Sequence, residues 1–175
     1  METAVIDAMQ DLAPCKGDRV FIPCDPYPPN VSTQLWMQYV LDQLTQRGIT
    51  ADQIVAKAGG IFEPDGYYAM RWYLRTHGVP TLILARSDLT VVGAYRALAS
   101  ARNAEVVVDE DLRRIRCLGL LDMQISQYLN PPLNSIRFSY NEIAKTVIKM
   151  IRQQHKTGRP IKAQHVHGQY VRRAS

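Results

Sequence analysis

Pro80-Thr-Leu-Ile-Leu-Ala-Arg-Ser-Asp-Leu-Thr-Val-Val-Gly-Ala-Tyr-Arg-Ala-Leu98 contains the change of period that decides the fold. Thr81 to Ala85 is a short, nearly continuous apolar run, the pattern of a strand covered on both faces. Immediately afterwards the apolar positions switch to helical spacing through Val92, Tyr95 and Leu98, and Asp88 is placed to cap that helix. A strand followed at once by a helix is the repeating half of a βαβ unit, and parallel strands require such crossovers.

The same alternation extends in both directions. Arg19 to Pro23, Gln53 to Lys57 and Ile115 to Gly119 are further short apolar runs bounded by turn residues, and Asn134 to Phe138 and Gln164 to Val171 read as two more strands. Between them lie helical patterns. Ala4, Val5, Ala8, Met9 and Leu12 form one stripe that Pro14 ends. Ser32 or Thr33 is the expected N-cap of a helix carrying Leu35, Trp36, Tyr39, Val40 and Leu44 to Arg47-Gly48. Asp65 is placed to cap a helix through Tyr67, Met70, Tyr73 and Leu74 to Gly78, and Ser139 with Glu142 makes a capping box for Ile143, Val147, Ile148, Met150 and Ile151. Residues 102–114 are the least patterned and read as an insertion. The fold class expected is α/β, a mostly parallel, Rossmann-like sheet flanked by helices.

Composition narrows the function classes. The chain has 175 residues, 46% of them apolar and 21% charged, with a formal charge of +5. Such a chain can build a core without staples, and disorder, collagen-like repeats and disulfide scaffolds are excluded. The positive charge reads as spread along the chain, a weak indication of nucleic acid. Cys15, Cys24 and Cys117 lack C-x-x-C spacing, which fits a reducing cytoplasm better than a disulfide framework or zinc ribbon. No signal sequence and no membrane-length apolar stretch is visible.

Few residues carry chemistry by pattern alone. Gly59-Gly60 follows a strand but lacks the later Gly and Lys of a phosphate-binding loop. His165 and His167 share one strand face without a third metal ligand, Asp109-Glu110-Asp111 reads as a solvated charge run, and Cys24 as an inert thiol. No catalytic set, metal site or cofactor site is expected. In open α/β sheets ligands bind beyond the C-terminal ends of the strands. The loops there are Asp25 to Ser32, Gly60 to Phe62, Arg86 to Asp88 and Leu120 to Asp122, and they should converge on one edge. Phe62 can stack on a sugar or base, and Ser87 can hydrogen-bond it.

The order of these pieces resembles the lactose-repressor (LacI/GalR) family of bacterial transcription regulators. Gly60-Ile-Phe-Glu-Pro-Asp-Gly-Tyr-Tyr-Ala69 is similar to the family's G-x-F-s-p-e-s-G-y-x-a, and Pro80 to Leu98 to its P-T-a-i-x-a-x-N-D-x-x-a-x-G-a-x-r-a-l. Gly119-Leu-Leu-Asp122 followed by Tyr128-Leu-Asn-Pro-Pro-Leu-Asn-Ser-Ile136 resembles its G-f-D-D and y-x-x-P-x-L-t-t-i segments, and Tyr170-Val-Arg-Arg-Ala-Ser175 its L-v-x-R-x-S tail. The resemblance implies a type I periplasmic-binding-protein-like fold in which two lobes enclose a small effector and the protein dimerises. It covers the second lobe. Residues 1–135 and 163–175 correspond to that lobe, and 136–162 to a crossover segment whose helix packs on the first lobe. The family's helix-turn-helix, hinge helix and most of its first lobe have no counterpart here, so the chain is expected to be part of a longer regulator, or its helix to be covered by a partner chain.

The resemblance also places candidate residues. Phe62, Ser87, Asp88, Asp122, Leu35 and Leu121 fall at effector-binding positions. Leu35 stands where the family usually has an Arg, Leu121 where it has the first Asp of its pair, and Ser87 where it has Asn, which implies a sugar-like or less polar ligand. Val92, Tyr95, Ile125 and Tyr128 fall at the family's dimer interface. The partners implied are a small-molecule effector, a second copy of the chain, and DNA only through a domain outside these residues, with no membrane and a cytoplasmic location. The other reading of the same fold is a type I solute (sugar) binding protein of a transport system, against which stand the missing signal sequence and the basic tail. An enzyme is the third reading, without a nucleophile, base and orienter to support it.

Overall fold

A computed structural model describes residues 1–24, 31–164 and 166–173. Six strands, β1 (Val20–Cys24), β2 (Ile54–Ala58), β3 (Leu82–Leu84), β4 (Arg116–Leu120), β5 (Asn134–Phe138) and β6 (Gly168–Val171), form one sheet ordered β2-β1-β3-β4-β5-β6. β1 to β5 are parallel, and β6 returns antiparallel to β5. The helices are α1 (Glu2–Leu12), α2 (Val31–Gln46), α3 (Glu63–His77), α4 (Asp88–Asn103), the single turn α5 (Asp109–Arg113) and α6 (Tyr140–Thr157). Since β1 lies between β2 and β3, the chain reverses its direction of travel across the sheet there, opening a crevice beyond the strand ends.

Strand alternation sorts the side chains onto two faces. Val20, Ile22, Leu82, Leu84, Leu118 and Leu120 join the apolar stripes of α1 and α2 in one core, while Phe21, Ile83 and Cys117 join those of α3 and α4 in another. α3 and α4 approach closely because each presents a glycine to the other. A Cβ on Gly66 would lie 1.9 Å from the Thr90 carbonyl oxygen, and one on Gly93 1.9 Å from that of Glu63.

At the N-terminal edge of the sheet the buried Asp18 carboxylate accepts from the Cys15 N–H at 2.8 Å and the Thr81 hydroxyl at 2.6 Å, and pairs with Arg116. The Arg116 guanidinium also donates to the Leu12 carbonyl at 2.6 Å, so the end of α1 and the starts of β1, β3 and β4 are pinned together. Burial alone would raise the Asp18 pKa, but the hydrogen bonds and the guanidinium outweigh it and hold the group below the usual carboxylate range.

Several local expectations change. α2 begins at Val31, so Ser32 and Thr33 lie inside its first turn. Phe62, and not Asp65, precedes α3; Asp65 is the third helical residue, and its carboxylate accepts the Phe62 N–H at 3.0 Å. Ser87 caps α4, accepting from the Leu89 N–H, and Asp88 is the first helical residue. Within 164–171 only Gly168–Val171 is a strand, and His165 lies outside the described residues. Residues 102–114 comprise the end of α4, a connection that buries Val107, and α5, whose first residue Asp109 pairs with Arg102.

The positive charge is also localised. Residues 140–162 hold six Lys and Arg against the single Glu142, and elsewhere cations and anions balance, fifteen against fifteen. This stretch is dominated by α6, which has no buried residue although it carries Val147, Ile148 and Ile151, all exposed. No helix among the described residues is long and apolar enough to cross a membrane.

Candidate functional site

The parallel register of β1 to β4 brings the loops after β2, β3 and β4 to one edge of the sheet; most of the loop after β1, residues 25–30, lies outside the described residues. At that edge Asp88 organises the backbone. Its carboxylate, wholly enclosed, accepts from the Ser126 hydroxyl at 2.5 Å, the Met123 N–H at 2.6 Å and the Ser135 hydroxyl at 2.7 Å. One side chain therefore ties the start of α4 to the turn after β4, the 3-10 turn Gln124–Tyr128 and β5. Gly119 is required beside it, because a Cβ there would meet the Asp88 Oδ1 at 2.1 Å. Burial is the largest influence on its pKa and raises it; the three donors oppose that, the neighbouring Asp122 charge adds to it, and the balance stays above the usual carboxylate range.

Asp122 is the second fixed carboxylate. It accepts from Arg137 and from Arg173, each at 2.6 Å, while its own N–H donates to the Ser135 hydroxyl at 3.0 Å. Arg137 lies on β5 and Arg173 follows β6, so Asp122 joins the turn after β4 to both strands that flank α6. The turn itself is strained at Leu121, whose φ of 97° is seldom adopted by residues other than Gly, while Asp122 follows at φ 49°, in the left-handed region that Asp and Asn tolerate best. The Leu121 N–H donates to the Ile136 carbonyl at 2.8 Å, which holds the turn in place.

A cavity of about 370 Å³ opens beside this turn, lined among others by Leu121, Asp122, Gln127, Arg137, Tyr140 and Arg173. Of the six effector positions it contains Leu121 and Asp122. Phe62 stands at the start of α3 with 60% of its surface exposed, and Leu35 on α2 with 40%. Ser87 and Asp88 are buried, engaged in the α4 cap and the carboxylate cluster. Arg137, Ser126 and Ser135 were missed in the sequence. The only signal for Ser135 and Arg137 was the alternation of Asn134-Ser-Ile-Arg-Phe138, which puts them on the same face, and nothing in the sequence marked Ser126.

Of the interface positions, Tyr128 is 70% exposed and Ile125 is exposed, while Val92 and Tyr95 on α4 are half-buried. Tyr95 hydrogen-bonds the Cys117 thiol, whose pKa burial nonetheless pushes up to about 12, leaving it inert. Cys24 ends β1, with its side chain outside the described set. His167 precedes β6, and no group of three metal-ligating side chains occurs among the described residues.

Comparison with solved structures gives the same architecture. A ribose-bound LacI family transcriptional regulator from Enterococcus faecium superposes with a TM-score of 0.77 at 18% identity over 98% of this chain and 61% of its own. A lac repressor dimer bound to operator and the anti-inducer ONPF gives 0.78 at 23% identity over 99% of this chain and 57% of its own. The Escherichia coli transcriptional repressor ascG gives 0.72 at 19% identity, with 99% and 61% covered. The chain thus spans about three fifths of the length of these regulators. No curated protein matches. The family model for the periplasmic binding protein-like domain matches residues 19–175. The chain belongs to the periplasmic binding protein-like domain family.

Proposed function

We propose that this chain is the second lobe of the effector-sensing and dimerisation core of a LacI-type transcription regulator. The observation that carries the reading is the strained Leu121-Asp122 turn at the C-terminal edge of the sheet, facing a cavity and tied through Asp122 to both strands that flank α6. A ligand at that turn would bias how those strands are held and so shift the population of lobe arrangements. Residues 136–162 are the crossover, and α6 packs on a first lobe supplied from outside these residues. DNA is read by a further domain, also outside them, in a cytoplasmic protein without enzymatic activity.

The effector enters against Phe62, Leu35 and Leu121, with Asp122 at the polar side and the buried Ser87 and Asp88 fixing the floor. The solved regulators bind ribose or ONPF. With Leu at both positions 35 and 121, the pocket favours a ligand with an apolar face, such as a nucleoside or aryl glycoside, over a free sugar. Calorimetric titration with D-ribose, adenosine and an aryl glycoside tests this. The reading expects adenosine or the aryl glycoside to bind at least tenfold more tightly than ribose and Phe62→Ala to abolish that preference; a ligand unaffected by Phe62→Ala contradicts it. Self-association is assigned to Val92, Tyr95, Ile125 and Tyr128, and sedimentation should give a dimer that Tyr128→Ala weakens.

A further inference from the structure

The basic side of α6 shares no lining residue with the cavity beside the Leu121-Asp122 turn. Lys145, Lys149, Arg152 and Lys156 recur at i, i+4, i+7 and i+11, which places them within about 60° of arc and spreads them over about 16 Å of helix. All four are exposed, and none has a carboxylate partner among the described residues. With Ile148 and Gln153 they line an open groove. The chain beyond Glu142 contains no Asp or Glu, and Arg159 and Lys162 extend the basic run past the helix.

We propose that this face of α6 is a contact surface for the phosphate backbone of duplex DNA. A straight row of unpaired cations matches a duplex that carries one charge per about 1.7 Å of its axis. Such a contact carries no sequence information and adds to base reading by a domain outside the chain. The apolar side of α6 is lined by Ile143, Val147, Met150 and Ile151, without Trp or Phe, a set suited to packing against protein more than to insertion in a lipid interface. The proposal rests on the functional reading above, because a lobe covering the apolar side leaves the cationic side open, and because tethering at an operator would raise the effective concentration of phosphate at this face.

The test is fluorescence anisotropy of a labelled 20-base-pair duplex of arbitrary sequence, titrated with the 175-residue chain across a salt series. The wild type should bind with a log K against log salt slope of about −3.6, the value for four phosphate contacts. The variant Lys145→Gln/Lys149→Gln/Arg152→Gln/Lys156→Gln should lose at least tenfold in affinity at low salt and flatten the slope, with an unchanged circular dichroism spectrum. A control with Lys16→Gln/Arg71→Gln/Arg75→Gln/Arg113→Gln should stay within twofold of wild type. Equal loss in both variants, retained binding in the α6 variant, or stronger capture by phosphatidylserine vesicles than by DNA overturns the proposal. Calorimetric titration of the wild-type chain with adenosine and the aryl glycoside separates the two readings: a ligand response in a wild-type chain that does not bind the duplex overturns this proposal alone.

Discussion

Two buried aspartates at opposite edges of the sheet have opposite responses to pH. Asp18 is held below the ordinary carboxylate range, so the stability it contributes is present above its unfolded pKa and lost as pH falls through its folded one. Asp88 is held above that range, so its contribution is fully present below its unfolded pKa and lost as pH rises through its folded one. Urea denaturation across pH should therefore show Asp18→Asn gaining on wild type toward acid and Asp88→Asn gaining on wild type toward neutral pH. Parallel slopes would refute the assignment. Asp88→Ala should cost more than either change to Asn. It strands the Met123 N–H and the Ser126 and Ser135 hydroxyls, and at ~1–3 kcal/mol per unsatisfied buried group the loss is about 3 kcal/mol or more.

Among the elements, the α3 and α4 pair is the most closely packed and depends on Gly66 and Gly93. Ala at either position must push a carbonyl away, and Gly93→Ala should lower the unfolding free energy by about 1–3 kcal/mol in urea denaturation. α6 is the opposite case. Ile151→Gln should change the stability of this chain by less than about 0.5 kcal/mol, because Ile151 is 62% exposed. In a protein whose first lobe covers α6 the same change should cost about 2–5 kcal/mol, as for a core residue. The α1 stripe was legible in the sequence because period and burial coincide at Ala4, Val5, Ala8, Met9 and Leu12. β6 was overread at Gln164 because apolar alternation cannot tell a strand from an extended connection. The basic row on α6 was invisible while charge was judged along the chain, and became plain only when the helix wound four cations onto one side.

For the whole molecule, the candidate site was half legible. Its location followed from strand order and the loops that strand ends must present, and Phe62, Leu121 and Asp122 lie at that edge. The roles of Ser87 and Asp88 were not legible, since both stand where β3 gives way to α4 at the ligand edge yet are consumed by a helix cap and a buried carboxylate cluster whose partners, Ser126 and Ser135, lie 38 and 47 residues beyond Asp88. Nothing local in the sequence marks a pairing over that distance. Backbone NMR chemical-shift mapping of the 175-residue chain, titrated with D-ribose, adenosine and an aryl glycoside, tests the central claim most directly. Adenosine or the aryl glycoside should shift the amides of residues 60–62, 86–88 and 120–123 together, and Phe62→Ala should remove the response. Shifts confined to another surface, or a response at those loops that survives Phe62→Ala unchanged, would contradict it.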